Sequence, residues 1–373
     1  MTKLLDLDSF TRAIDSPAVA HESAWRAQFV RLRAGELARL TEICRQYHLR
    51  MLDTIERQLA DLALVRWPAM DQADARRRFI ADRRRAHGGG EAYGNWVWLP
   101  WEAKLVHLLD EDDYFEVITN RNQDKITREE QLRLRTKRVG VVGLSVGGEA
   151  AVTVAQEHLC GEIVLADFDR LDLSNLNRLN AGFDELGVAK VKIAARRILR
   201  INPYLRVTIF EEGVTAENMQ RFLDGLDLLI EECDGLQIKR DIRLLARERR
   251  LNIVYAADER GFLSVEPYQH WPDLRPFHGR AEQAQPPREA FATPLEFMRA
   301  LALWLGGWDN LSERSRDSLE RLGAALCGYP QLASEARYAA GQIGHVARRL
   351  LLGEPLPPFL GNFDLSELLT ARG

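Results

Sequence analysis

The chain has 373 residues, of which 46% are hydrophobic and 28% are charged, a composition typical of globular proteins that bury a sizeable core. Its 51 Lys and Arg residues against 55 Asp and Glu residues give a net charge of -4, which argues against a nucleic-acid or membrane-surface partner. No run of about 18 or more apolar residues occurs, and the polar start lacks the apolar stretch of a signal peptide. We therefore expect a soluble, cytoplasmic protein.

The first part of the chain has a helical pattern. Apolar residues recur at helical spacing in residues 37–43 and 52–62. Three glycines at 88–90 then interrupt the pattern before the aromatic stretch Trp96–Trp101. We predict a helical N-terminal region over residues 1–90, followed by a connecting segment and linker over residues 91–137.

From Arg138 onward, short apolar runs alternate with amphipathic helical segments, a pattern typical of βαβ units and a parallel sheet. The predicted strands are Val139–Gly143, Glu162–Ala166, Arg206–Glu211, Leu226–Glu231 and Asn252–Ala256. The predicted helices between them are Gly148–His158, Lys190–Ile201, Ala216–Leu223 and Ile238–Arg249. The fold class is therefore α/β, with a Rossmann-like, largely parallel sheet and helices on both faces in residues 138–270.

The remaining sequence is irregular and then helical. Residues 271–293, which include Pro286 and Pro287, are predicted to form a crossover loop. Residues 294–373 are predicted to form a helical C-terminal region.

A glycine loop follows the first predicted strand of the α/β segment. Gly143, Gly147 and Gly148 allow a tight turn and a close approach of phosphate oxygens to backbone N–H groups at a helix N-terminus. Ser145 stands at the middle glycine position of the G-x-G-x-x-G pattern. The loop alone therefore fits a nucleotide site and a plain strand-to-helix turn equally well.

Two aspartates, Asp167 and Asp169, follow the second strand, where an acidic side chain accepts hydrogen bonds from ribose hydroxyls. This position fits NAD as well as ATP. The elements that come next distinguish the two: Ser174-Asn175-Leu176-Asn177-Arg178, Gly187-Val188-Ala189-Lys190, Ile201-Asn202-Pro203 and Glu232-Cys233-Asp234.

In their order and spacing, these elements resemble the ThiF/MoeB/HesA family, the bacterial relatives of ubiquitin-activating enzymes, over about residues 120 to 270. The resemblance implies an ATP-binding adenylation domain at residues 138–270. Its activity would be that of an adenylyltransferase, which activates a carboxylate as an acyl-adenylate and releases pyrophosphate. It further implies that Asp167 holds the ribose.

The same resemblance assigns roles to the charged residues. Arg178, Lys190 and Arg121 would hold the triphosphate, with Asn175 adding a neutral hydrogen bond. Asp234 would bind Mg²⁺, a hard cation that prefers carboxylate oxygens. Such a cationic set fits the charge that builds up on phosphates during adenylation. Taken singly, Arg178 and Lys190 also fit surface cations, Asp169 a turn residue, and Asp234 a helix N-cap.

The chain departs from the family in its cysteines. Cys44, Cys160, Cys233 and Cys327 form no C-x-x-C pair, so neither a structural zinc nor a disulfide framework is expected. Residues 235–326 contain no cysteine that could accept the acyl group as a thioester. The acceptor carboxylate stays open among the C-terminus of a ubiquitin-like or carrier protein, a peptide and a small acid.

The family further implies a homodimer, with Arg121 a candidate to be supplied across the interface. The polar and aromatic segment 270–280 fits either a lining of the acceptor site or an ordered loop that crosses over the sheet. Two other functions remain open: a dinucleotide-dependent oxidoreductase that uses the same glycine loop, and a non-catalytic partner subunit with the same fold. A third, resembling the family's threonylcarbamoyladenosine dehydratases that act on tRNA, gains no support from the near-neutral charge.

Overall fold

The computed structural model describes residues 4–15, 23–87, 90–281, 290–304 and 306–370. The chain forms two compact units, Met1–Arg128 with Leu199–Tyr204, and Glu129–Ile198 with Leu205–Gly373. Gly88, Gly89, Pro286 and Pro287 lie outside the described residues. The finer division into five segments at residues 90, 137, 270 and 293 stays a prediction.

The first unit contains a mixed five-stranded sheet of order β1-β2-β4-β5-β3. Its strands are β1 (Leu4–Leu5), β2 (Gln28–Val30), β3 (Arg50–Asp53), β4 (Asn95–Leu99) and β5 (Lys104–Leu108). Its helices are α1 (Leu7–Ile14), α2 (Leu37–Gln46), α3 (Ile55–Arg66), α4 (Ala73–Ala86) and α5 (Glu111–Ile118).

The prediction of a helical N-terminal region is incomplete, because this sheet places strands among the helices. The helices are present, but three strands lie among them within residues 1–90. The strands of this sheet are only two to five residues long, too short for a clear period-two pattern. β4 is buried along its whole length, so its residues do not alternate between apolar and polar. Trp96 stacks on His107 and Trp98 packs edge-on against Phe10, which places these indoles in the core.

The second unit contains a seven-stranded sheet of order β12-β11-β10-β9-β6-β7-β8. Its strands are β6 (Arg138–Val142), β7 (Glu162–Ala166), β8 (Arg206–Phe210), β9 (Leu228–Glu231), β10 (Asn252–Ala256), β11 (Phe262–Glu266) and β12 (Phe359–Asn362). The helices from this part of the chain onward are α6 (Arg128–Leu134), α7 (Val146–Gln156), α8 (Lys190–Ile201), α9 (Met219–Leu223), α10 (Leu236–Glu248), α11 (Pro294–Trp304), α12 (Glu313–Glu320), α13 (Ala333–Leu351) and α14 (Leu365–Thr370).

The predicted α/β fold with a largely parallel sheet is confirmed. β10, β9, β6, β7 and β8 pair in parallel, and they correspond to the five predicted strands. Helices cover both faces of the sheet. α9 and α10 pack in the cluster that contains Val142 of β6. α7 lies against Val141, the residue before it, whose side chain points to the opposite face because successive residues of a strand alternate. α13 packs beside α7.

The prediction of a helical C-terminal region is also incomplete, because this region contributes a strand, β12. β12 pairs antiparallel with β11, and β11 pairs antiparallel with β10. β12 is four residues long and only partly buried, so its local pattern does not distinguish it from a loop. Among the described residues, no helix is both long and apolar enough to cross a bilayer.

The sheet order determines where a ligand site can lie. β6 stands between β7 and β9, so the chain leaves its central strand toward β7 and later returns on the other side at β9. In open parallel sheets, ligands bind outside the carboxyl ends of the strands at such a reversal. The carboxyl ends of β6, β7, β9 and β10 are followed by Gly143, Asp167, Asp234 and Asp258.

Candidate functional site

The glycine loop connects β6 to α7 and lies directly against the end of β9. Gly143 has φ +80°, and a Cβ atom at this position would stand 2.4 Å from the carbonyl oxygen of Glu232. A Cβ on Gly147 would stand 3.1 Å from Val141 Cγ1, whereas at Gly148 the nearest atom is at an ordinary 3.8 Å. Two of the three predicted glycines are therefore needed for close packing, and Gly143 also for its backbone conformation.

Asp167 connects the glycine loop to the end of β7. One carboxylate oxygen accepts the N–H of Leu144 at 2.6 Å, and the other accepts the N–H of Asp169 at 2.7 Å. Burial raises the pKa of Asp167, while the two backbone donors and Lys190 act in the opposite direction. The side chain is thus a structural link between two loops, and its predicted contact with ribose remains a prediction.

Asp169 and Lys190 form an ion pair. The distance from Lys190 Nζ to Asp169 Oδ2 is 2.8 Å, and the Lys190 N–H donates to the Asp169 carbonyl at 2.9 Å. The Lys190 side chain is 10% exposed and that of Asp169 is 52% exposed. Lys190 is therefore not a free surface cation but a largely buried one, positioned by Asp169 at the N-terminus of α8.

Asn175 shapes the turn that carries Arg178. Its side-chain Oδ1 accepts the N–H of Asp172 at 3.0 Å, which closes the 3-10 turn Leu173–Asn177. Asn175 is buried. Its side chain thus has a structural role, and the predicted hydrogen bond to the nucleotide remains a prediction.

Arg178 reaches back to the glycine loop. Its Nε donates to Ser145 Oγ at 3.2 Å, and its Nη1 donates to Asn177 Oδ1 at 3.0 Å and to the Ser174 carbonyl at 3.4 Å. Burial lowers the pKa of Arg178, and the charges of Asp258 and Asp234 act in the opposite direction. Within the described ranges, Arg178 forms no ion pair. It is a half-buried cation beside a helix N-terminus.

Asp234 follows the end of β9 and is exposed. It is not the N-cap of α10, because Gly235 occupies that position and no side chain caps the helix. The alternative interpretation of Asp234 as a helix cap is therefore excluded. Burial lowers the pKa of Arg178, whereas the Asp234 charge acts to raise it.

Asp258, which the motifs did not indicate, follows β10 as Asp234 follows β9. It accepts a hydrogen bond from Gln331 Nε2 at 2.7 Å, and burial together with the Asp234 charge raises the pKa of Asp258. Its position after a predicted parallel strand was the one available signal. The part of the chain that the structure covers contains no group of three or more His, Cys, Asp or Glu side chains arranged to hold a metal ion.

A recess lies beside the glycine loop. Its walls are mostly apolar, with Lys190 and Arg197 at the polar side, and they include Leu144, Leu171 and Ile193. The recess brings together residues from the glycine loop, the turn after β7 and α8. These are the segments that the motifs had connected.

Two further parts of the predicted site are Arg121 and the crossover segment. Arg121 belongs to the first unit, where it is exposed in the 3-10 turn Asn120–Asn122, and its role remains a prediction. In the crossover segment the structure describes residues 271–281 and 290–293, and a role in the acceptor site stays a prediction. The 3-10 turn Pro276–Gly279 of this segment buries Phe277, and His278 Nε2 lies 3.3 Å from Ser264 Oγ.

Comparison with known proteins connects this site to a family. The sequence model of the ThiF family matches residues 119–287. The chain is 38% identical over 274 residues to the uncharacterized protein MT1398 of Mycobacterium tuberculosis, covering 74% of this chain and 38% of that protein. It is 34% identical over 134 residues to ubiquitin-like modifier-activating enzyme 5 of Drosophila melanogaster, covering 32% of this chain and 33% of that enzyme. The chain thus spans well under half the length of these relatives.

Two solved structures give partial matches to this chain. Escherichia coli tRNA N6-threonylcarbamoyladenosine dehydratase in complex with ATP is 27% identical, with a TM-score of 0.36 over 38% of this chain and 60% of that one. Escherichia coli MccB with ATP is 14% identical, with a TM-score of 0.43 over 69% of this chain and 71% of that one.

The close approach at Gly143 gives a stability prediction. Gly143→Ala should lower the free energy of unfolding by about 3 kcal/mol, because it adds left-handed strain and overlap with a backbone carbonyl. Gly353→Ala is the matched control, since Gly353 has φ +84° but an added Cβ would meet no described atom within 4 Å. It should lose only about 1 kcal/mol. Equal losses in urea unfolding would show that the Glu232 carbonyl does not constrain the loop.

Proposed function

Since residues 119–287 belong to the ThiF family, we propose that this chain binds ATP at the carboxyl edge of its seven-stranded sheet and adenylates a substrate carboxylate. A carboxylate oxygen attacks the α-phosphorus of ATP, and the bond from that phosphorus to the β-phosphate oxygen breaks. The products are an acyl-adenylate and pyrophosphate. Because negative charge concentrates on the phosphate oxygens during this step, fixed positive groups lower the barrier.

The main support for the proposal is the environment of the Arg178 side chain. A guanidinium that is half-buried loses hydration, and a carboxylate partner usually compensates for that loss. In the described residues Arg178 has three hydrogen bonds to neutral oxygens and no ion pair. Its charge therefore remains available to an anion, and the adjacent glycine loop and α7 N-terminus favour a phosphate there.

Lys190 and Asp169 support the same interpretation. The Asp169 carboxylate keeps the Lys190 ammonium beside the recess at the glycine loop. A phosphate that approaches Lys190 shares it with Asp169, while the more exposed Asp169 oxygens remain accessible to ribose hydroxyls. An oxidoreductase that transfers hydride has no need for these two cations around a triphosphate.

Magnesium fits the oxygen donors of the site. Asp234 is exposed after β9, and in nucleotide sites Mg²⁺ is commonly bound by one or two carboxylates together with substrate phosphates. Asp234 alone therefore suffices as a protein ligand. When bound, the ion withdraws negative charge from the phosphates.

The proposed substrate and subunit partners are suggested by the relatives of the chain and not by the geometry of the site. The name of the Drosophila relative supports testing the C-terminus of a ubiquitin-like protein first, followed by carrier proteins, peptides and small acids. We further propose that the chain acts in the cytoplasm as a homodimer, in which Arg121 of one subunit completes the triphosphate site of the other.

The first expected result is magnesium-dependent binding of ATP in preference to NAD. Arg178, Lys190 and Asp234 match a metal-bound triphosphate better than a dinucleotide, which carries less charge. Isothermal calorimetry with and without Mg²⁺ measures this preference. Tight binding of NAD with no binding of ATP would favour the oxidoreductase instead.

The second expected result concerns the chemical step. Arg178→Ala should slow pyrophosphate exchange by about 100-fold to 1000-fold, which is the usual effect of losing one group that stabilises developing charge. Asp234→Asn should instead raise the magnesium concentration needed for exchange, because it keeps the shape but removes the charge. Arg206→Ala is the control, since Arg206 is 60% exposed at the amino end of β8 and should leave exchange unchanged. Wild-type rates in folded Arg178→Ala and Asp234→Asn proteins would contradict the proposed site.

The third expected result tests the hydrogen bond between Ser145 and Arg178. Ser145→Ala removes the acceptor of Arg178 Nε and should slow exchange about fivefold, which corresponds to roughly 1 kcal/mol for one partly exposed hydrogen bond. Ser145→Thr retains the hydroxyl and should remain close to the wild type. If the two variants behave alike, the hydroxyl does not position Arg178.

A further inference from the structure

Four charged side chains form a fully buried ion network in the second unit. Glu231 at the end of β9 lies 2.9 Å from Lys239 Nζ and also pairs with Arg243 Nη1, both on α10. Arg243 Nε continues the network to Glu266 Oε2 at 2.7 Å, at the end of β11. None of the four side chains is more than 1% exposed.

One end of the buried ion network holds the turn that leads to Asp234. Glu231 Oε1 accepts the Cys233 N–H and the Cys233 thiol, each at 2.9 Å. This carboxylate therefore fixes the backbone of the residue directly before Asp234. The same turn lies under the glycine loop, because the Glu232 carbonyl faces Gly143.

The other end of the network holds the crossover segment. Glu266 Oε1 accepts the Phe277 N–H at 2.6 Å and the Tyr268 hydroxyl at 2.7 Å. Phe277 has φ +50°, a left-handed conformation that costs free energy in a residue with a side chain. The hydrogen bond to Glu266 offsets part of that cost, and the Arg243 guanidinium lies 4.4 Å from the centre of the Phe277 ring.

Stability alone does not account for such a network. Moving each charge out of water costs several kcal/mol, and well-packed apolar side chains of similar volume are often as stable or more so. An ion network instead imposes defined distances and directions, which apolar packing does not. The two positive and two negative charges balance, and Lys239 and Arg243 hold the pKa of Glu231 below its ordinary value against the effect of burial.

We propose that the buried ion network positions the Asp234 turn to receive a metal-bound triphosphate. The inference rests on the proposed function, and it makes these four residues positioning residues that touch neither ATP nor the metal. Groups that hydrogen-bond to a metal ligand usually change metal affinity or activity about 10-fold to 100-fold when they are removed, and we expect an effect of this order here, where Glu231 holds the residue before the ligand.

The test uses a charge-neutral replacement. The double variant Glu231→Gln/Lys239→Met retains side-chain size and leaves Arg243 paired with Glu266. It should fold, should not differ from the wild type in whatever ATP binding is measured without Mg²⁺, and should need about 10-fold to 100-fold more Mg²⁺ to reach half of the magnesium-dependent ATP binding. Amide hydrogen exchange of residues 232–235 should be faster than in the wild type, a readout that does not depend on activity.

The control distinguishes a change in the position of the Asp234 turn from a general loss of protein stability. Arg66→Met removes a partly buried arginine of the first unit that bonds to Asp113 at 2.7 Å and Glu116 at 2.8 Å. It should lower thermal stability but leave the magnesium midpoint and the exchange at residues 232–235 unchanged. If the double variant does not fold, Arg243→Lys provides the same test, since it keeps the charge but cannot bridge both carboxylates.

Two outcomes distinguish this inference from the proposed function. A wild-type protein that shows no magnesium-dependent ATP binding would overturn the proposed function and the metal part of this inference. A wild-type protein that binds as expected, beside a folded variant with an unchanged magnesium midpoint and unchanged amide exchange, would overturn the inference alone.

Discussion

The backbone N–H groups of Leu144 and Asp169 both donate hydrogen bonds to the buried carboxylate of Asp167. These bonds connect the glycine loop after β6 to the turn after β7, and the rest of the site depends on this connection. The glycine loop provides the partner of Arg178 through Ser145, and the turn after β7 provides the partner of Lys190 through Asp169. Without the Asp167 carboxylate, nothing described here would hold the partner of Arg178 at a fixed distance from the partner of Lys190.

Buried and half-buried charges in the second unit have two kinds of environment. In the ion network of Glu231, Lys239, Arg243 and Glu266, every charge has an opposite charge beside it. Arg178 is half-buried and is held only by neutral oxygens within the described chain. Paired charges suit a supporting structure, whereas an uncompensated one suits a site that receives an anion. We therefore assign a supporting role to the ion network and an anion-binding role to Arg178.

Sequence patterns predicted the parts of this arrangement that depend on local order. The five parallel strands and the glycine loop follow from periodicity and turn residues, which act over a few positions. The short strands of the first unit and β12 depend on pairing between distant segments, for which no local signal exists. The ion network was missed for the same reason. Arg243 lies in a basic stretch of α10 that is typical of a solvated helix, and only the tertiary structure brings Glu231 and Glu266 to it.

The pairing of β11 with β12 has a consequence for synthesis on the ribosome. β11 ends at Glu266, but its outer partner begins only at Phe359, so the nascent chain carries β11 as an open edge while α11, α12 and α13 are being made. An unpaired edge of this kind is a template for intermolecular strand addition. β11 therefore stays open to such addition until Phe359–Asn362 has been synthesised.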